Sequence, residues 1–350
     1  MTDAARSAVD VLLVSLGSTA GLRAADAQLV RSLRRAGASI AVASASPPRA
    51  ARTLALTDLT WALAARAATR SQLQRSEPRA ILYSTTTAAL LWPRPGAIRF
   101  DAAAAANRPG RHGVWQRPLE RRRLRQAPLL VPWSGGALDE LPAALHTRAH
   151  ALVVPVAVEP SAQPGAVSTS GPQQREPGRD IAVIAYAANP SKKGIDRVLA
   201  AWQAVRREGE ELVLAGAEPA DLRALGAPCE GGGVRSVGRL DPAEYRALLR
   251  RARVFACAPR REDYGIAQLE ALADGCQLVT TPAPGPYAAL AIARALDARL
   301  VGEDLAPALR TALDDPSPDY GVRALGAIAP FGREAVDEVV ARELLPRLLG

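Results

Sequence analysis

The stretch "RRARVFACAPRREDYGIAQLEALADGCQLVTT" spans residues 250–281, and its punctuation decides the fold. An apolar run over 253–259 closes at Pro259, and Arg260, Arg261, Glu262 and Asp263 follow as a charged loop. Tyr264 and Gly265 lead into a helical pattern that starts near Ile266 and stops at Gly275; a second apolar run begins at Gln277. Strand, loop, helix and strand in that order make a parallel βαβ unit. The charged loop then lies at a strand's carboxyl end, where open α/β sheets bind their ligands.

The loop's chemistry suits a diphosphate. A helix's first turn offers free backbone N–H groups and about half a unit of positive charge. Gly265 has no Cβ, so a phosphate can approach the amides of Ile266, Ala267 and Gln268. Glu262 precedes this helix and Glu270 lies about one turn inside it. Carboxylates accept paired hydrogen bonds from vicinal hydroxyls, so the two can hold opposite ends of a nucleotide sugar. Read in isolation, the same two residues are solvated charges; the strand–loop–helix context favours the site.

The alternation extends along the chain. Strand patterns occur at 9–17, 38–46, 80–85, 97–102, 128–134 and 151–158. A second series follows at 180–187, 211–216, 234–240, 253–259, 277–282 and 298–301. Helical patterns fill 26–37, 194–207, 241–252, 266–274 and 303–314. Between the two series, residues 159–180 are rich in Pro, Ser, Gly and Gln without periodicity, as in a linker. The expected organisation is a Rossmann-like domain over 1–160, a linker over 161–179, a second Rossmann-like domain over 180–330 and a terminal helix over 331–350. Two doubly wound domains place a cleft between their strand ends.

Composition narrows the function classes. Mean hydropathy is -0.01 and no apolar run reaches the ~20 residues that span a bilayer. The N-terminal apolar run is short and follows acidic residues, unlike a signal peptide. The expected location is the cytoplasm, with reduced thiols. Cys229, Cys257 and Cys276 are far apart, and His146 and His150, four apart, lack the companion Glu of a zinc helix. No metal site is expected. No P-loop or dinucleotide fingerprint occurs. Gly231–Gly233 read as a turn, Ser84–Thr87 as a helix cap, and Ser134 is not in a nucleophile elbow.

Charge is uneven. Residues 1–160 hold 21 Arg against 10 Asp+Glu, a net +11, whereas 161–350 are nearly balanced. The first half therefore favours an anionic partner. Its densest basic segment, 111–128, sets Arg117, Arg121, Arg122, Arg123 and Arg125 near Trp115. The readings are an anionic membrane surface or a solvated helix; aromatic interleaving is too thin for nucleic acid. Lysine occurs only twice, as Lys192 and Lys193 in "NPSKKG" (189–194), against 42 arginines. Lysine is a compact, mobile point charge, which suits a phosphate that moves.

Taken together, three blocks resemble the GT-B glycosyltransferases, in particular the retaining family 4 of glycosyl transferases group 1. Glu262 and Glu270 have that family's Glu-x7-Glu spacing. The stretch 234–259 resembles the segment before it, and "NPSKKGIDRVLAAW" resembles the motif that opens the donor domain. The first half matches more faintly, through "SLGSTAGLRAADAQLVRSLRRAGASIAVA", and the helix after Phe331 resembles one that crosses back onto the first domain. The resemblance implies transfer of a sugar, with retention of configuration, from a UDP-, GDP- or ADP-sugar, with no other cofactor and no required metal. It implies that Lys193 contacts the diphosphate, Glu262 the transferred sugar and Glu270 the ribose. Gly265, Ile266 and Ala267 would face the phosphates, Gly238 and Arg239 the base, and Gly17 and Gly21 the cleft. Asp101, at the end of a strand, is the candidate to orient or deprotonate the acceptor, against a plain salt bridge. The chain departs from the family at Ala188, Asp263 and Gln277. A binding protein without transfer is the alternative reading.

Overall fold

The structure is a computed structural model, and it describes residues 7–48, 53–108, 110–145, 150–161, 178–223 and 230–350. The chain divides into two units: 1–157 with 331–350, and 158–330.

The first unit is built on β1 (Ser7–Ser15), β2 (Ile40–Ser44), β3 (Ser76–Tyr83), β4 (Ala97–Phe100) and β5 (Leu130–Pro132), all parallel, in the order β2-β1-β3-β4-β5. Successive β1 residues feed opposite cores. Leu12 and Val14 pack on one face of the sheet, and Val11 and Leu13 on the other. Burial on both faces explains why β1 reads as an unbroken apolar run rather than an alternating one. Helix Ala20–Arg35 covers one face; Thr19 caps it by accepting from the Leu22 amide at 3.2 Å. The helical run from Arg333 to Leu349 adds Val336, Val340 and Leu344 to the same core.

The second unit contains β6 (Ile181–Tyr186), β7 (Leu212–Ala215), β8 (Glu230–Gly231), β9 (Val234–Gly238), β10 (Ala252–Cys257) and β11 (Gln277–Thr280), in the order β11-β10-β6-β7-β9-β8. Only β8 runs antiparallel, as a hairpin partner of β9. In each sheet the strand order reverses once. The reversal lies between β1 and β3 in the first unit and between β6 and β10 in the second. Crevices open at such points because the crossovers leave in opposite directions.

Two expected strands are different structures. Residues 151–158 run extended beside β5, with Leu152 and Val154 donating to Leu130 and Pro132, but only Ala151 forms a bridge. Residues 298–300 form a 3-10 turn, and only Val301 bridges to Thr280. Asp297 caps that turn through the Arg299 amide, which diverts the segment from the sheet. The helix expected over 26–37 starts earlier, at Ala20, because Thr19 is its cap. His146, Cys229 and most of the expected linker lie outside the described residues.

Candidate functional site

The richest chemistry lies at the β6/β10 reversal. After β6 the chain makes a short turn, Pro190–Lys193, started by Asn189 accepting from the Lys192 amide at 3.2 Å. Gly194 ends it with φ 66 and ψ 38. A Cβ there would sit 1.8 Å from the Ala258 carbonyl oxygen, so only glycine lets this turn rest against the end of β10. The Arg260 amide donates to the Lys192 carbonyl at 3.0 Å, and the Arg260 guanidinium holds Asp196 through both oxygens. The two loops are thereby joined.

Side chains continue the joining. Lys193 Nζ lies 2.6 Å from Glu262 Oε2, and Gln268 Nε2 donates to the same oxygen at 3.0 Å. Lys192 Nζ lies 2.9 Å from Asp263 Oδ2, while Arg261 Nε reaches Asp263 Oδ1 at 2.8 Å. Burial opposes ionisation of Asp263, but Lys192 and Arg261 outweigh it and hold the carboxyl below its ordinary range. Glu262 is buried and braced from behind: its amide donates to the Pro284 carbonyl at 3.1 Å. Gly285, at φ 112, permits that approach, since a Cβ would lie 2.3 Å from the Glu262 carbonyl oxygen.

Gly265 stands at the head of helix Ile266–Ala273 with φ 94, and no side chain caps that helix. The Tyr287 ring packs against Gly265, and its hydroxyl meets Thr280 at 2.9 Å. The amides of Ile266 and Ala267 thus open beside Lys193 and Glu262 without a side-chain acceptor, as an anion site requires. Glu270 lies farther along the helix. Arg246 is 3.9 Å away. Burial, and after it the Glu270 charge, pushes the hydroxyls of Tyr186 and Tyr245 up. Burial pushes the Glu270 carboxyl up to about 7; Arg246 counters this in part and Asp274 adds to it.

Gly238 ends β9 with φ 69, and its carbonyl accepts from the Gly216 amide at 2.7 Å. Arg239 beside it is exposed, 3.7 Å from Glu218. In the first unit, Gly17 follows β1 with φ 59 and accepts from Arg23 Nη1 at 2.8 Å. Gly21 is exposed in the first turn of its helix. Asp101 follows β4, half-buried, and accepts from the Ala102 amide at 2.9 Å. Beneath these loops Ser15 donates to Asp26 at 2.6 Å, and Ser84 accepts from the Leu16 amide at 3.1 Å. Of the basic cluster, Arg117 donates to the Arg108 and Gly110 carbonyls. Arg123 donates to the Leu90 carbonyl and lies over Trp92. Arg121, Arg122 and Arg125 are exposed.

The structure brings Lys193, Glu262, Gly265 and the following amides together. Sequence reasoning missed the Gln268 side chain, Tyr287, Arg246 and the bracing Gly285. "PAPGPY" (282–287) marked a turn but did not show what the turn supports.

Residues 179–315 match the family Glycosyl transferases group 1. No curated protein matches the sequence. Among solved structures, WaaG, a glycosyltransferase involved in lipopolysaccharide biosynthesis, aligns over 98% of this chain and 100% of its own, with TM-score 0.66 and 16% identity. Sucrose-phosphate synthase from Thermosynechococcus elongatus covers 95% of this chain and 96% of its own, with TM-score 0.64 and 16% identity. HepE from Anabaena, in complex with UDP and glucose, covers 96% and 99%, with TM-score 0.65 and 14% identity. At these identities the likeness establishes the fold, which is GT-B.

Proposed function

We propose that this GT-B chain, whose residues 179–315 match the glycosyl transferases of group 1, moves a sugar from a nucleoside diphosphate sugar to an acceptor with retention of configuration. One observation carries the reading: the Lys193–Glu262 pair lies beside an uncapped helix start at the reversal point of the family-matching sheet. Lys193 and the amides of Ile266 and Ala267 stabilise the leaving diphosphate, as fixed dipoles and cations stabilise charge that develops during reaction. Glu262 accepts from hydroxyls of the transferred sugar. Gln268, bonded to it, fixes its orientation. Glu270 accepts from the ribose, and Gly238 and Arg239 border the base. On the first unit we assign Gly17 and Gly21 to donor binding and Asp101 to the acceptor.

HepE was solved with UDP, which makes a uridine nucleotide the first donor to try. We assign the exposed Arg121, Arg122 and Arg125 to an anionic membrane surface, with the protein working from the cytoplasmic side. No helix among the described residues is long and apolar enough to cross a membrane.

A thermal-shift panel of UDP-, GDP- and ADP-sugars tests the proposal. Ligand at about 100 Kd stabilises by roughly 2.7 kcal/mol, so one donor class should raise Tm visibly. A flat response across the panel overturns the reading.

A further inference from the structure

The charge count at the β6/β10 loops does not suit a diphosphate as it stands. Lys193 is matched by Glu262, and Arg260 by Asp196. Asp263 departs from one-to-one pairing: its two oxygens hold two cations, Lys192 and Arg261. Removing one partner from a buried ion pair is costly because it strands the other charge. Asp263 escapes that cost: if Lys192 leaves, Arg261 stays on the other oxygen. The reverse exchange is disfavoured, since the Arg261 side chain is 19% exposed and that of Lys192 is 44% exposed. The Lys192 backbone is fixed at both its amide and its carbonyl, so the stem can swing while the loop holds.

We infer that Lys192 is a releasable phosphate ligand, parked on Asp263 and transferred to a diphosphate oxygen when the nucleotide binds, with Arg261 retaining Asp263. This rests on the donor reading above and deepens it. It also gives a reason for Asp263 beside a proposed anion site: the carboxylate stores the cation that the anion later takes. No bond forms or breaks; one ion pair is exchanged for another.

Calorimetric titration with UDP, GDP, ADP and inorganic pyrophosphate tests it on the wild type, Lys192→Met and Asp263→Asn. A charge-assisted hydrogen bond corresponds to roughly a tenfold to hundredfold change in affinity, so Lys192→Met should weaken diphosphate binding by that factor. Asp263→Asn removes the competitor and should tighten binding several-fold. A structural pair predicts otherwise: both variants lower Tm, and neither changes affinity, or both weaken it alike. Either result overturns the inference while leaving the donor reading standing. Wild-type protein that binds no nucleoside diphosphate removes both. Should Lys192→Met fail to fold, tightening in Asp263→Asn still decides the matter.

Discussion

The two units share a plan and differ in what they place at the point where strand order reverses. In the second, the β6/β10 loops carry Lys192, Lys193, Glu262 and Asp263 in cross-loop ion pairs. In the first, the β1/β3 loops meet through Ser84 and the Leu16 amide over a buried Asp26. One reversal point presents charge and open amides; the other turns its polar groups inward, where Ser15 donates to the buried Asp26 carboxylate. Charge that moves during a reaction needs preorganised counter-charge, whereas varied acceptors need only a shaped surface. The difference fits the proposed division of labour, in which one unit handles the diphosphate and the other the acceptor.

Glycine exchange should break the comparison most strongly. Gly194→Ala places a Cβ 1.8 Å from a backbone oxygen and forces a left-handed residue to carry a side chain. The combined cost is roughly 2–5 kcal/mol. Gly17→Ala is left-handed too, but its Cβ would meet only the flexible Arg23 side chain at 3.3 Å, for about 1–2 kcal/mol. Calorimetry should show the larger fall in Tm for Gly194→Ala; equal falls would mean that the two turns are equally tolerant.

A second contrast is charge. The surplus of arginine lies in the first unit, and replacing Arg121, Arg122 and Arg125 with Gln removes its exposed helical cluster. At about 1 kcal/mol per residue near an anionic surface, partition into phosphatidylglycerol vesicles should fall roughly a hundredfold. Flotation unchanged by the triple substitution, or by salt, would dismiss the membrane assignment.

The smallest effect sharpens the second unit alone. Because burial raises the Glu270 carboxyl to about 7, it ionises across neutral pH. The stability contributed by its protonated form is complete below the ordinary carboxylate range and fades as pH rises through about 7. On the proposed ribose contact, nucleotide binding uses the ionised carboxylate, moves oppositely and should strengthen roughly tenfold between pH 6 and 8. Glu270→Gln should flatten both profiles. Persistence of the binding profile in that variant would place the titrating group elsewhere.

Much of this was legible before any coordinates. Both sheets and the βαβ unit at 250–281 followed from apolar runs and glycine stops, because parallel strands buried on both faces read plainly. Glu262, Gly265 and Lys193 stood out for the same reason: they punctuate a strand end and a helix start. Residues 151–158 did not resolve, since apolar content alone cannot say whether a segment pairs fully or only runs alongside. Arg246 and Tyr287 were invisible because their importance comes from long-range packing, on Asp274 and on Gly265. Nor does composition reveal which of many arginines bind carbonyls, as Arg117 does, and which face solvent.

The Arg333–Leu349 run supplies Val336, Val340 and Leu344 to a core whose other members come from the first 157 residues. Synthesis therefore delivers most of the first unit's apolar surface long before the residues that complete its cover. The second unit, contiguous in sequence, has every part it needs while the first still waits for its last helix. Translation order and assembly order are inverted, and a chain arrested before Val336 would carry a complete second unit and an unsealed first one.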